Sequence, residues 1–276
     1  MSRPEQKISS MDQRQLATDC YFQGRLAEAV EAQLGWVRDH PMDVGARLFL
    51  IELLSFSGEW DRAERQLNAL LSNQAEADVA VDLYLKCLAS ERKRAMAMEG
   101  GHSPTVLGKL TEAIQWRIEA LKHQGQARAE AIEKAIELEK SSEPAKPFQL
   151  NGQSFLASRD GDDLLGPVLE VFAQGEYFWV DINQVQLISA EKPKYPRDLI
   201  WLPARIEMEN EAGNVLLPLI YAGSSGLSDQ ELRLGRATDW QSEVESGLLR
   251  GQGQKEWFFD AETAVAVVQW RDFVRE

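Results

Sequence analysis

Apolar residues recur at three- and four-residue intervals through the first half of the chain, then give way to short continuous or alternating runs. The pattern predicts helices up to about residue 140 and strands beyond it. Leu26, Val30, Leu34 and Val37 form one single-face stripe, and Trp60, Ala63, Leu67 and Leu70 form another. Residues 16–22 and 44–54 predict the helices that precede them, the second with Leu48, Ile51 and Leu54 on one side. Gly24 and Gly58 stand 34 residues apart at the start of the striped segments, and each is followed five residues later by an alanine, Ala29 and Ala63. That interval is the period of a tetratricopeptide unit, a helix pair that buries its faces against itself and its neighbour. Glycine there allows the left-handed backbone that turns one helix into the next, and the small alanine lets the pair approach closely. Asp39-His40-Pro41 ends the first unit, whereas the second has Ala75 where the first has its proline.

Further helices are expected to cap the pair. Residues 79–98 read as one long helix, and Ser103-Pro104 reads as the start of another carrying Leu107, Leu110, Ile114, Ile118 and Leu121. Residues 127–140 supply a last helix with Ile132 and Ile136 inward and Glu130 paired to Lys134 outside. Trp36, Trp60 and Trp116 lie on or beside apolar stripes and are expected in the core. After the connector SSEPAKP at 141–147, residues 168–172 and 177–182 predict a hairpin and 204–208 and 215–221 a second, while 257–259 and 264–268 add two more strands. Pro218 is expected to place its strand at an edge or a bulge, because it has no N–H for a ladder. Residues 163–165 and 196–201 read as helical turns. The fold class is therefore α+β: an N-terminal helical, tetratricopeptide-like domain with its connector, 1–147, and a small β-rich C-terminal domain with a strongly twisted sheet, 148–276.

Composition narrows the function. The chain has 276 residues, 44% of them hydrophobic, enough for one large or two modest cores. Its net charge of −14 opposes nucleic acid and anionic lipid surfaces, so neither is expected as a partner. The two cysteines, Cys20 and Cys87, have no CxxC or Cys/His grouping and read as buried free thiols of a reducing compartment. No run reaches the roughly 18 apolar residues of a membrane span, and the start, MSRPEQKISSMDQRQ, lacks an apolar leader; a cytoplasmic location is expected.

Polar motifs give no catalytic set. GSSG at 223–226 has Leu227 where a nucleophile elbow needs glycine. RDGDD, with Asp160, Asp162 and Asp163, has its glycine too early and Val171 where a calcium loop needs glutamate. Gly251-Gln252-Gly253 lacks the third glycine of a dinucleotide loop, and His40, His102 and His123 sit apart at helix ends. No cofactor or metal is expected. Arg197-Asp198, Trp201, Arg205, Arg236 and Asp239-Trp240 concentrate guanidinium, carboxylate and indole groups between 196 and 240. They read either as a buried structural network or as a recognition surface, for which Trp201, Arg205, Arg236, Asp239 and Trp240 are the candidates. An enzyme, hydrolase-like, with its site in the same segment is the alternative.

The runs DDLLGPVLEVF (162–172), GEYFWVDINQV (175–185), PRDLIWLPARIEM (196–208), LPLIYAGSS (217–225) and LRLGRATDW (232–240) resemble the ImpE family, also called TagJ. The helical first half is similar to that family's layout too. The resemblance implies a cytoplasmic, non-enzymatic accessory protein of type VI secretion. Its implied partner is the small subunit of the contractile sheath, bound through a short helix, with an association to the ATPase that recycles the sheath.

Overall fold

A computed structural model describes residues 10–71, 78–142, 146–260 and 263–275. Ala75 and residues 143–145 of the connector lie outside the described residues. The first half contains α1 (Ser10–Phe22), α2 (Leu26–Asp39), α3 (Val44–Phe56), α4 (Trp60–Leu71) and α5 (Asp78–Met98), each packed on the next. Gly24 and Gly58 turn α1 into α2 and α3 into α4 with φ of 76° and 69°, as the spacing required. His40 caps α2 through its backbone N–H to Trp36 O, and its ring stacks on Trp36. Asp43 then opens α3 by accepting from Ala46 N at 2.9 Å.

The stripe on α2 is shifted from its expected position. Leu26, Val30 and Val37 are buried, but Gln33 takes the fourth place and Leu34 is 39% exposed. Trp36, Trp60 and Trp116 are half-buried at the margin of the core. Cys20 and Cys87 are buried free thiols.

Ser103-Pro104 does not start a helix. It leads into β1 (Thr105–Leu107), which pairs parallel to a strand of the second half, and α6 (Glu112–Leu121) begins later, capped by Thr111. Leu110 is consequently exposed. Ser-Pro suits the entry to an extended segment as well as a helix start, and three residues in a sheet were too few to show a strand period. On α7 (Gly125–Ser141), Lys134 lies over the Trp116 ring at 4.3 Å and not on Glu130, which accepts from Gln126.

The strands are β2 (Phe148–Leu150), β3 (Gln153–Phe155), β4 (Ser158–Asp160), β5 (Val168–Ala173), β6 (Glu176–Asp181), β7 (Val185–Ala190), β8 (Trp201–Met208) and β9 (Ala212–Pro218). The short α8 (Gln230–Arg233) follows, then β10 (Thr238–Ser242), β11 (Leu249–Gly253), β12 (Glu256–Phe259), β13 (Thr263–Ala266) and β14 (Asp272–Arg275). Instead of the small sheet expected, nine strands join in the order β1-β6-β5-β9-β8-β7-β14-β2-β3, with two lesser sheets, β10-β11 and β13-β12-β4. β9 is an interior strand, not an edge. Pro218 is tolerated at its last residue, opposite Trp201, because β5 pairs with β9 only at Phe172↔Leu216 and asks for no N–H further along.

The large sheet separates two apolar clusters. On one face the helices, through Leu54, Leu88 and Ile114, share a core with Phe172, Trp179 and Trp201, so this core crosses the connector. On the other, Trp257, Phe259, Trp270 and Phe273 pack on Ile188, Leu202 and Ile206. Strand alternation assigns the faces: Leu202, Ala204 and Ile206 turn to the second cluster, and Trp201, Pro203 and Arg205 to the helix side.

Candidate functional site

The most charged interior is a chain of ion pairs joining the two halves. Glu170 on β5 receives Arg94 of α5 on both oxygens at 2.8 Å, Tyr177 at 2.6 Å and Lys255 at 2.5 Å. Lys255 also meets Asp160 at 2.9 Å, and Asp160 accepts from Tyr221 at 2.8 Å. Arg94, Glu170, Asp160 and Lys255 are all almost fully buried. Burial opposes a charged Glu170, but Arg94 and Lys255 together outweigh it and hold its carboxyl well below the usual range. Burial raises Asp160 and Glu91, with nearby cations offsetting part of the effect. Every charge here is matched by a protein partner, which is how buried ions survive. The arrangement clamps α5 to the sheet.

The candidate recognition residues fall at four separate places. Trp201 is 2% exposed and donates its indole N–H to Glu91 at 2.9 Å, under α5. Arg205 is exposed and pairs with Glu207 at 2.8 Å. Arg236 stacks on Tyr21 and donates to the carbonyls of Tyr21 and Phe22, tying the β-rich half to the end of α1. Asp239 accepts from the N–H of Trp240, whose ring packs on Tyr221 and Phe258 over Gly161. Asp198 caps the turn Pro196–Leu199 by accepting from Lys194 and Tyr195 N–H, and Arg197 lies over the Tyr84 and Tyr195 rings. The carboxylates of RDGDD are likewise engaged: Asp160 with Lys255, Asp162 with Arg250, and Asp163 with Arg159. Among the described residues no three His, Cys, Asp or Glu side chains gather as a metal site, and no helix is long and apolar enough to cross a membrane.

Of these candidates, only Arg205 and the neighbouring Arg197 line a concavity between α5 and the sheet. This groove encloses about 870 Å³. α5 supplies Val79, Leu83, Lys86, Cys87 and Ser90; the sheet supplies Phe172 and the turn after it, Ser189 on β7, Pro203 and Arg205 on β8, and Asn214 to Leu216 on β9. The groove exists because α5 covers Trp201 but leaves the same face of β8 open from Pro203 onward. Its floor is mainly apolar, and its rim mixes Asp82, Lys86, Glu191, Arg197 and Arg205. Such a surface holds an amphipathic segment by apolar anchors with polar contacts around them. Sequence reasoning missed it, although Val79, Leu83, Cys87 and Ser90 recur at helical spacing on a second face of α5. Glu170 in the apolar run PVLEVF and Lys255 beside Trp257 were also readable as buried charges in need of partners.

Comparison with known proteins places the chain among relatives. The family model described as ImpE protein matches residues 152–273. The type VI secretion system accessory component TagJ of Pseudomonas aeruginosa is 34% identical over 238 residues, covering 86% of this chain and 84% of that protein. The crystal structure of protein VPA1032 from Vibrio parahaemolyticus shares the fold, with a TM-score of 0.82 over 94% of this chain and 97% of that one at 22% identity.

Proposed function

The chain belongs to the ImpE family, and from that premise we propose that it is a cytoplasmic, non-enzymatic adaptor of a type VI secretion system. In this reading it binds a short amphipathic helix of the small contractile-sheath subunit, and is linked through the sheath to the ATPase that recycles it. The observation that carries the reading is the groove between α5 and the open sheet face, which offers apolar floor and a polar rim in one place. A helix presenting anchors at i, i+3/i+4 and i+7 would lie along α5 with its anchors toward Phe172, Pro203 and Leu216. Because the protein carries a net charge of −14, basic residues on the outer face of that helix are favoured, so affinity falls with salt without vanishing. Two or three buried anchors suffice for about −8 kcal/mol, the free energy of a micromolar complex. A hydrolase-like enzyme using segment 196–240 has less support, since its Arg, Asp and Trp side chains are held in separate contacts.

Calorimetry with the synthetic N-terminal helix of the small sheath subunit tests the proposal. A one-to-one complex of micromolar or tighter affinity is expected, weakened at least about tenfold by Val79→Glu, which changes an 84% exposed side chain at the groove mouth. Absence of heat with the folded protein rules out the adaptor mechanism, and undiminished binding by Val79→Glu moves the site away from the groove.

A further inference from the structure

We propose that a polar row on the groove floor, Ser189, Arg205 and Asn214, receives the carboxylate of one acidic residue on the docked helix and so selects which helices bind. The proposal rests on the adaptor reading and adds to it a demand on the partner's sequence. Strand register builds the row. Arg205 on β8 stands directly opposite Ser189 on β7 and opposite Asn214 on β9, and all three are exposed residues lining the groove. The neighbouring row, toward the end that α5 covers, is apolar: Pro203 stands opposite Leu216, and Leu216 opposite Phe172. Two residues along a strand span about 7 Å, close to the roughly 5–6 Å between helix positions three or four apart. A helix whose anchor fills the apolar row therefore brings a side chain three or four positions away over Arg205.

The other ions of the groove are already engaged. Lys86 pairs with Asp82 at 2.7 Å, and Glu191 with Lys194 at 2.7 Å. Arg197 lies over the Tyr84 and Tyr195 rings with its Nε on Asp198 at 3.4 Å. Arg205 gives only its Nε to Glu207, at 2.8 Å. Among the described residues nothing accepts from its Nη1 or Nη2, and the Ser189 hydroxyl and the Asn214 amide are likewise without partners. The open end of a guanidinium matches a carboxylate with two parallel hydrogen bonds. Glu207 stands one row further out, opposite Leu187 and Ala212, so it balances Arg205 without covering those two nitrogens. A helix laid over the row excludes water and strengthens the attraction to its own carboxylate, whereas a helix without one leaves the donors covered and unpaired. A lysine at that position meets like charge. Selection thus comes from penalties on the wrong helix as well as contacts to the right one. The protein's overall −14 acts on the outer face of the helix, but the groove lining itself has three cations, Lys86, Arg197 and Arg205, against Asp82 and Glu191.

The probes are the synthetic N-terminal helix of the small sheath subunit and a set in which each Asp or Glu is changed in turn to Asn or Gln. Each is titrated by calorimetry into the full chain and into Arg205→Gln, a change at an exposed side chain that leaves the core untouched. One substitution, three or four positions from an apolar anchor, should weaken binding to the parent chain at least about fivefold, the upper end of what an ion pair left in solvent gives. Arg205→Gln should bind the unmodified helix more weakly by a similar factor, and against it the same substitution should cost less than about twofold, because its partner is gone. Asn214→Ala and Ser189→Ala should each give a smaller loss. A merely structural Arg205 would weaken every helix alike and show no such coupling. If the unmodified helix binds but has no acidic residue, or none whose replacement is coupled to Arg205, the carboxylate readout is overturned while the adaptor reading stands. If the unmodified helix does not bind the folded protein, both are overturned.

Discussion

Trp201 and Arg205 lie on the same face of β8, four residues apart, yet one is 2% exposed and the other is open to solvent. The difference is the helix above them. Where α5 covers the sheet, the face carries Trp179, Trp201 and Glu170, and each polar group has a partner from α5 or from the β-rich half. Where α5 ends its cover, the same face becomes Arg205, Ser189 and Asn214, and the groove opens. Strand periodicity sets which residues share a face, but the layer above decides whether that face is core or surface. Buried packing and the proposed recognition surface thereby lie along a single strand.

The largest effect is expected from cutting the chain between its halves. We propose 1–147 and 148–276 as the domain division, in which a 1–140 fragment gives a helical circular dichroism signal and the second piece a β-rich one. Since one core and strand β1 cross the boundary, the helical fragment should melt well below the intact protein. A strand-dominated signal from the first fragment would sink the division.

Within the covered region, Arg94→Leu leaves Glu170 with one cation fewer in a fully buried setting. It should cost about 3–5 kcal/mol in chemical denaturation. A loss below about 1 kcal/mol would mean that the clamp between α5 and the sheet is not what fixes their contact.

Glu52 sharpens the same contrast through pH. It is buried beneath Tyr84, with Arg197 and Asp198 nearby, and burial pushes its carboxyl up to about 7 from an ordinary 4.5. Between these values the folded state holds a proton that the unfolded chain has released. Its contribution is therefore full below about pH 4.5 and lost as pH rises through 7, up to about 3 kcal/mol. Subtracting the stability profile of Glu52→Gln from that of the parent should isolate this slope. Parallel profiles would show that Glu52 titrates normally.

Smaller effects follow at the hairpin turns and on the open face. Gly24→Val and Gly58→Val should each lower stability by about 1–2 kcal/mol, read in thermal melts, because a β-branched residue is forced to positive φ. Arg205→Ala should stay within about 0.5 kcal/mol, since its partner Glu207 is solvent-accessible. A large loss there would erase the distinction between covered and open face.

The 34-residue spacing, the glycine turns, the long α5 and the hairpins β5-β6 and β8-β9 were legible because they rest on local rules: helical period, left-handed backbone and strand pairs joined by short turns. The α+β class followed from the change of period near 141. Beyond local range the sequence was ambiguous. Nothing near Thr105 announces that three residues will pair parallel with β6, and a strand that short has no period to read. Leu34 was expected inward but is 39% exposed, and Gln33 is buried in its stead with its amide donating to Ala46 O of α3. The five candidate residues were chosen by type, but type does not say which helix will lie over Trp201 or that Arg236 will reach the carbonyls of α1. Even the glycines carry a second meaning. A Cβ at Gly24 would strike Glu231 and one at Gly58 would strike Ser225, so the hairpin turns also seat the β-rich half. The sequence by itself determined the elements and their backbone turns, whose energetics are settled within a few residues. Only the tertiary structure decided which faces are covered, because that depends on groups far apart in the chain being desolvated together.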